Sequence, residues 1–178
     1  HEHGVCVLPI DVNFSHWDNT LENRPNMQPA LRLGFRQIDG FSKDAAKLLI
    51  ADQHDSYRSI EDMHRRLRLD RRAFTLLADA DAFSSLNIDR RAALWAVRRL
   101  PNDETLPLFV AAQTSELAEE PRTILPEMAA SEHVIADYET TRLSLKGHPV
   151  QYLREGLAAE GVSTCKAMKQ ATQSRRMK

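Results

Sequence analysis

Cysteine is nearly absent: Cys6 and Cys165 stand at opposite ends of 178 residues. With no CxxC pair, a zinc knuckle or a disulfide scaffold is excluded, and the usage fits a reducing cytoplasm. No apolar run approaches the roughly eighteen residues that a membrane span needs. The first residues, HEHGVCVLPID, have neither the basic nor the apolar region of a signal peptide. A glycine-rich nucleotide loop, GxSxG, HExxH and a Cys/His ladder are all missing. The seven histidines (1, 3, 16, 54, 64, 133 and 148) are scattered without ligand spacing. His16 with Asp11 and Asp18 can be drawn as a metal trio, but with no second cluster the reading preferred is a loop. No catalytic residue and no metal set emerges. Net charge is −1, so any affinity for nucleic acid must come from local clustering.

What is present is organised around Leu33–Ala51, LGFRQIDGFSKDAAKLLIA. It reads as a short helix, a tight turn at Ile38-Asp39-Gly40-Phe41, and a second helix. Gly40 supplies positive φ, Ser42 caps the helix that follows, and Lys43 opens it. Ile38 and Phe41 plug the gap, while Ala45 and Ala46 allow close helix approach. This is the order of a helix-hairpin-helix, whose amides at Gly40, Phe41 and Ser42 can hold a phosphate oxygen. An ordinary αα-hairpin is the alternative.

A degenerate second copy lies in FTLLADADAFSSLNIDRRAALWAVRRL, beginning at Phe74. Asn87 stands where Gly40 stood, flanked by Leu86 and Ile88, and Asp89 is the cap. Between the copies, Ser59 reads as another N-cap, with Ile60, Met63, His64 and Leu67 on one face. Residues 58 to 99 hold ten Arg against six acids, a local surplus of four. Arg90 and Arg91 follow the second turn directly. Phosphate contact by these arginines is preferred over a merely solvated helix face.

The flanks differ from this centre. Val5–Val12, broken by Pro9, reads as an edge strand or extended segment, and residues 13 to 20 as a loop. Residues 22 to 29 have linker composition. Asn102–Glu132 carries seven acids and one Arg, and reads as an extended acidic connector. Within it Leu106, Leu108 and Phe109 form either an exposed anchor for a partner's pocket or a return to the core. Ser131–Leu145 is helical, with Ser131 as its cap and Gly147-His148-Pro149 as its stop. A short helix follows, and then a basic tail. Both ends look like cuts through something longer.

Four stretches together carry a family resemblance: VLPIDVNFSHWDNTLE, ALRLGFRQIDGFSKDAAKLL, LADADAFSSLNIDRRAALWAVRRL and SEHVIADYETTRLSLKGHPVQYLR. In this order they resemble bacterial C-family DNA polymerases, in the error-prone branch of the polymerase III alpha subunit. The resemblance implies a mainly α fold. Residues 1–29 would end the fingers region and 30–100 form a tandem helix-hairpin-helix domain on duplex or primer-template DNA. Residues 101–130 would be the acidic linker and 131–178 the helices before a missing OB-fold. The family's catalytic aspartates, with their magnesium, belong to a palm domain outside this chain, so no cofactor is expected here. The family's sliding-clamp peptide falls where Thr105–Phe109 stands, with Leu106, Leu108 and Phe109 matching but Thr105 and Pro107 departing from it. Damage tolerance and replication are the processes implied, with a clamp or mutasome protein as a possible docking partner.

Overall fold

The computed structural model describes residues 4–25, 27–101 and 126–169. It is mainly helical, with seven α-helices and three short strands among those residues. None of the helices is long and apolar enough to cross a membrane. The strands are β1 (Cys6–Leu8), β2 (Thr20–Glu22) and β3 (Ala30–Arg32), ordered β1-β3-β2. β1 runs parallel to β3 and β2 antiparallel to it. Of the edge-strand and extended readings of the first segment, the edge strand holds at Cys6–Leu8, and the stretch read as loop and linker contributes β2.

A 3-10 turn at Phe35–Gln37 leads into α1 (Lys43–Asp52). α2 (Ile60–Arg66) is capped by Ser59, whose Oγ accepts from Asp62 N at 3.1 Å. α3 (Arg71–Asp79) is capped in the same way by Asp70 on Ala73 N. α3 ends with Asp81 in the left-handed region at φ 57°, and Ala82 N bonds back to Leu77 O at 3.0 Å. That is a Schellman closure, with Asp in the place usual for Gly. A second 3-10 turn, Ser84–Leu86, precedes α4 (Arg90–Arg99).

One core runs through all of this. Phe35, Leu49, Ile60, Met63, Phe74, Leu77 and Phe83 are at most 1% exposed. Each such side chain contributes roughly 1.5–3 kcal/mol by leaving water. α3 packs along α4, and Ala73, Phe74 and Leu77 of the one and Ala93 and Val97 of the other are buried in the same core. Ile10 and Val12 from the N-terminal segment are buried in this same core.

A polar network fixes that segment. The Asp11 carboxylate accepts from Ser85 N at 2.9 Å, Ser85 Oγ at 2.7 Å and Asn13 N at 2.8 Å. Asn13 in turn exchanges bonds with the backbone of Tyr57, and Gln53 donates to Val12 O and Ser15 O. Asp11 is 2% exposed with its oxygens occupied, and Asp18 pairs with Arg36 at 2.5 Å. Both aspartates of the Asp11, His16 and Asp18 trio are therefore put to structural use, and among the described residues no group of three His, Cys, Asp or Glu could hold a metal ion.

Beyond the connector come α5 (Ala130–Thr141), α6 (Pro149–Ala159) and the short α7 (Cys165–Lys169). Ser131 is not the cap of α5: it lies inside the first turn, and Glu132 accepts from Ala129 N at 3.0 Å. The helix also stops earlier than Gly147. Arg142 takes the left-handed C-cap at φ 62°, and the chain leaves α5 there. α5 packs against α3 and buries Val134 completely.

Candidate nucleic-acid interface

The first turn is built by close approaches on both sides of Phe35. Gly34 lies against the chain at Trp17 and Asp18, where an added Cβ would sit 2.5 Å from Trp17 O. Phe35 N and Arg36 N donate to His16 O and Trp17 O at 2.9 and 3.1 Å. Phe35 and Phe41 then meet with ring centroids 5.8 Å apart. The turn reverses at Gly40, φ +76°, and closes by Phe41 N donating to Ile38 O at 3.2 Å. Ser42 Oγ accepts from Asp44 N at 3.1 Å and Ala45 N at 3.4 Å.

Gly40, Ser42 and Lys43 are exposed, whereas Phe41 is buried as a plug. Among the described residues, no backbone acceptor takes the amides of Gly40, Ser42 or Lys43. They are the unsatisfied donors of a helix start, and the positive end of the α1 dipole lies with them. Lys43 Nζ stands 6.0 Å from the Trp17 ring centre.

A groove of about 450 Å³ runs between this turn and the start of α3, lined by Gly40, Phe41, Ser42, Arg68, Asp70 and Arg72 among others. Arg72 Nη2 lies 3.8 Å from where a Cβ on Gly40 would be. Arg68 and Arg72 are exposed, and among the described residues neither has an ion-pair or hydrogen-bond partner. The acids nearby are occupied: Asp70 caps α3, and Asp44 pairs with Lys47 at 2.8 Å, which holds the Asp44 carboxyl below its ordinary range.

The second turn has the same backbone and a different chemistry. Asn87 sits at φ 55°, ψ 36°, and Asp89 Oδ1 accepts from Ala92 N at 2.8 Å. Asn87 and Asp89 are exposed and Ile88 is half-buried. Arg90, expected on the surface beside a phosphate, is instead 2% exposed. Its guanidinium pairs with Asp137 of α5 and donates to His133 O at 3.0 Å. A buried guanidinium needs such partners because desolvation is costly, and here they come from α5. Arg91 is also engaged, donating to Pro126 O at 2.6 Å with Glu132 3.5 Å away.

Other arginines of the cluster hold the fold. Arg66 donates to Asp52 O and Asp55 O at 2.9 and 2.7 Å and lies over the Tyr57 ring. Arg71 caps the last carbonyls of α4 at Arg98 and Leu100, and Arg65 pairs with Asp62. The unpaired cations that face the first turn, Arg68 and Arg72, were counted in the sequence but not located beside Gly40. No local pattern joins positions thirty residues apart; only the packing of α3 does. Leu106, Leu108 and Phe109 lie outside the described residues.

Residues 4–93, from the first strand into α4, match the helix-hairpin-helix motif family. The chain belongs to the helix-hairpin-helix family. It is 80% identical over 99% of its length to the error-prone DNA polymerase of Brucella abortus, covering 16% of that protein. It is 50% identical over 94% of its length to the error-prone DNA polymerase of Rhodopseudomonas palustris, covering 17% of it. With the Bradyrhizobium error-prone DNA polymerase the identity is 38% over 99% of the chain, which covers 21% of that protein. The chain thus spans about one-sixth of the length of the Brucella relative. The sequence resemblance to error-prone polymerases and the helix-hairpin-helix reading are both borne out.

Proposed function

We propose that this chain is a DNA-binding portion of an error-prone DNA polymerase, and that its first hairpin grips the backbone of duplex DNA without regard to sequence. The observation that carries the reading is the exposed Gly40 turn, with open amides at Gly40, Ser42 and Lys43, beside the unpaired Arg68 and Arg72. A phosphate oxygen accepts from the amides, where the helix dipole favours negative charge. Arg72 and Arg68 neutralise it from the α3 side, in the bidentate manner suited to guanidinium groups. Contacts of this kind set register and orientation and read no bases. The second hairpin, capped by a carboxylate and with Arg90 buried, serves to anchor α5. Nucleotide transfer would belong to parts of the polymerase outside this chain.

The test is fluorescence anisotropy of the 178-residue chain with two labelled duplexes of unrelated sequence, from low to moderate salt. Dissociation constants on the order of 10⁻⁶–10⁻⁴ M, equal for both duplexes and rising steeply with salt, are expected. Preference for one sequence, or no binding at low salt by a folded sample, contradicts the proposal.

A further inference from the structure

The first hairpin carries one acid inside its turn. Asp39 precedes Gly40, and its side chain is 60% exposed, where it would face an arriving phosphate with like charge. It is not left bare. Arg142 Nη2 donates to Asp39 Oδ2 at 2.6 Å, across 103 residues of chain. The backbone is pinned at the same point, with Asp39 N donating to Thr140 O at 2.8 Å. Asp39, Gly40 and Arg142, together with Arg36, Gln37 and Thr141, line a polar concavity of about 570 Å³.

Stability does not account for this pair. The Arg142 side chain is 75% exposed, and ion pairs so open to water contribute roughly 0–1 kcal/mol. Arg142 also holds the left-handed C-cap of α5, φ 62°, a position that favours Gly or Asn. A guanidinium is therefore kept at a backbone position that disfavours it, aimed at the one acid of the turn. We infer that Arg142 is a positioning residue for DNA binding: it cancels the Asp39 charge, so the phosphate site is a composite of the first hairpin and the end of α5. This rests on the reading of the first hairpin as a phosphate site.

The experiment measures duplex DNA affinity for the wild-type chain and for Arg142→Asn, Arg142→Lys, Asp39→Asn and Asp39→Asn/Arg142→Asn. Asn suits the left-handed C-cap, so Arg142→Asn removes charge without disturbing the helix end; circular dichroism verifies folding. Arg142→Asn should weaken binding about three- to fivefold, the equivalent of one exposed charge interaction. Arg142→Lys should bind nearly as wild type, and the double variant should regain wild-type affinity or exceed it. A double variant as weak as Arg142→Asn means that Arg142 touches the phosphate itself, and overturns the shielding. Wild-type affinity in Arg142→Asn overturns it too, while leaving the hairpin reading in place. A wild-type chain that binds no duplex removes both.

Discussion

The two hairpins share a backbone and divide the labour. Each has a 3-10 turn, a residue of positive φ and a side-chain cap ahead of a helix, α1 after the first and α4 after the second. The first is capped by a neutral hydroxyl, Ser42, and the second by a carboxylate, Asp89. The residue after the cap diverges as well: Lys43 is exposed, whereas Arg90 is buried against Asp137. The other nearby cations differ too: Arg72, from α3, is unpaired, whereas Arg91, in α4, is held by Pro126 and Glu132. Backbone geometry alone therefore does not make an anion site. On the proposed reading, the charge of the cap and the direction of the next basic side chain decide whether a hairpin is open to DNA or committed to the fold.

The largest effect should come from breaking the structural role of the second hairpin. Arg90→Ala leaves Asp137, 12% exposed, without its buried partner, and should lower unfolding free energy by about 3 kcal/mol or more. Urea unfolding measures it. Arg90→Lys should recover little, because one ammonium cannot reproduce the planar pair of contacts. A loss below about 1 kcal/mol would mean that α5 does not depend on this arginine.

A smaller effect belongs to the first hairpin. Arg72→Ala should weaken duplex binding about fivefold with little change in stability, and reduce the slope of log affinity against log salt by about one. An unchanged slope would remove Arg72 from the phosphate site. Smaller again is the gain from neutralising the second cap. Asp89→Asn keeps a good cap, so stability should fall by less than about 1 kcal/mol. Duplex affinity should rise about twofold, the equivalent of a few tenths of a kcal/mol, as the carboxylate charge beside the α4 amides is removed. No gain would show that Asp89 is not what closes this hairpin.

The smallest concerns pH. Burial, followed by the charges of Lys146 and Arg90, pushes the His133 imidazole below its ordinary 6.5. The unfolded chain then binds this proton more readily than the folded one, so stability rises with pH and declines as pH falls below 6.5. Thermal unfolding of His133→Gln against wild type should show a shallower acid decline in the variant.

Much of this comparison was legible in the residues, and the limits follow from range. Caps were readable because their partners lie within three residues: Ser42, Ser59 and Asp89 all accept where the pattern places them. Asn87 was readable as a left-handed residue for the same reason. Arg90 was not, because its fate is set by Asp137, 47 residues onward and beyond the acidic connector. Gly34 gave no signal, since only the fold brings Trp17 and Asp18 against it. β2 and β3 were hard to see at three residues each, too short for an alternating pattern to register. Ser131 looked like a cap by type, yet Glu132 serves the end of α5 from one residue further on.

The central claim is that charge at the cap separates the two hairpins, and Ser42→Asp tests it most directly. Asp caps a helix as well as Ser, so the fold and its stability should hold, while a carboxylate would occupy the place of the phosphate. Titrating this variant with labelled duplex at low salt should show affinity reduced about tenfold, with circular dichroism and urea unfolding unchanged. Undiminished binding by a folded Ser42→Asp chain would contradict the account and place the DNA contact elsewhere on the molecule.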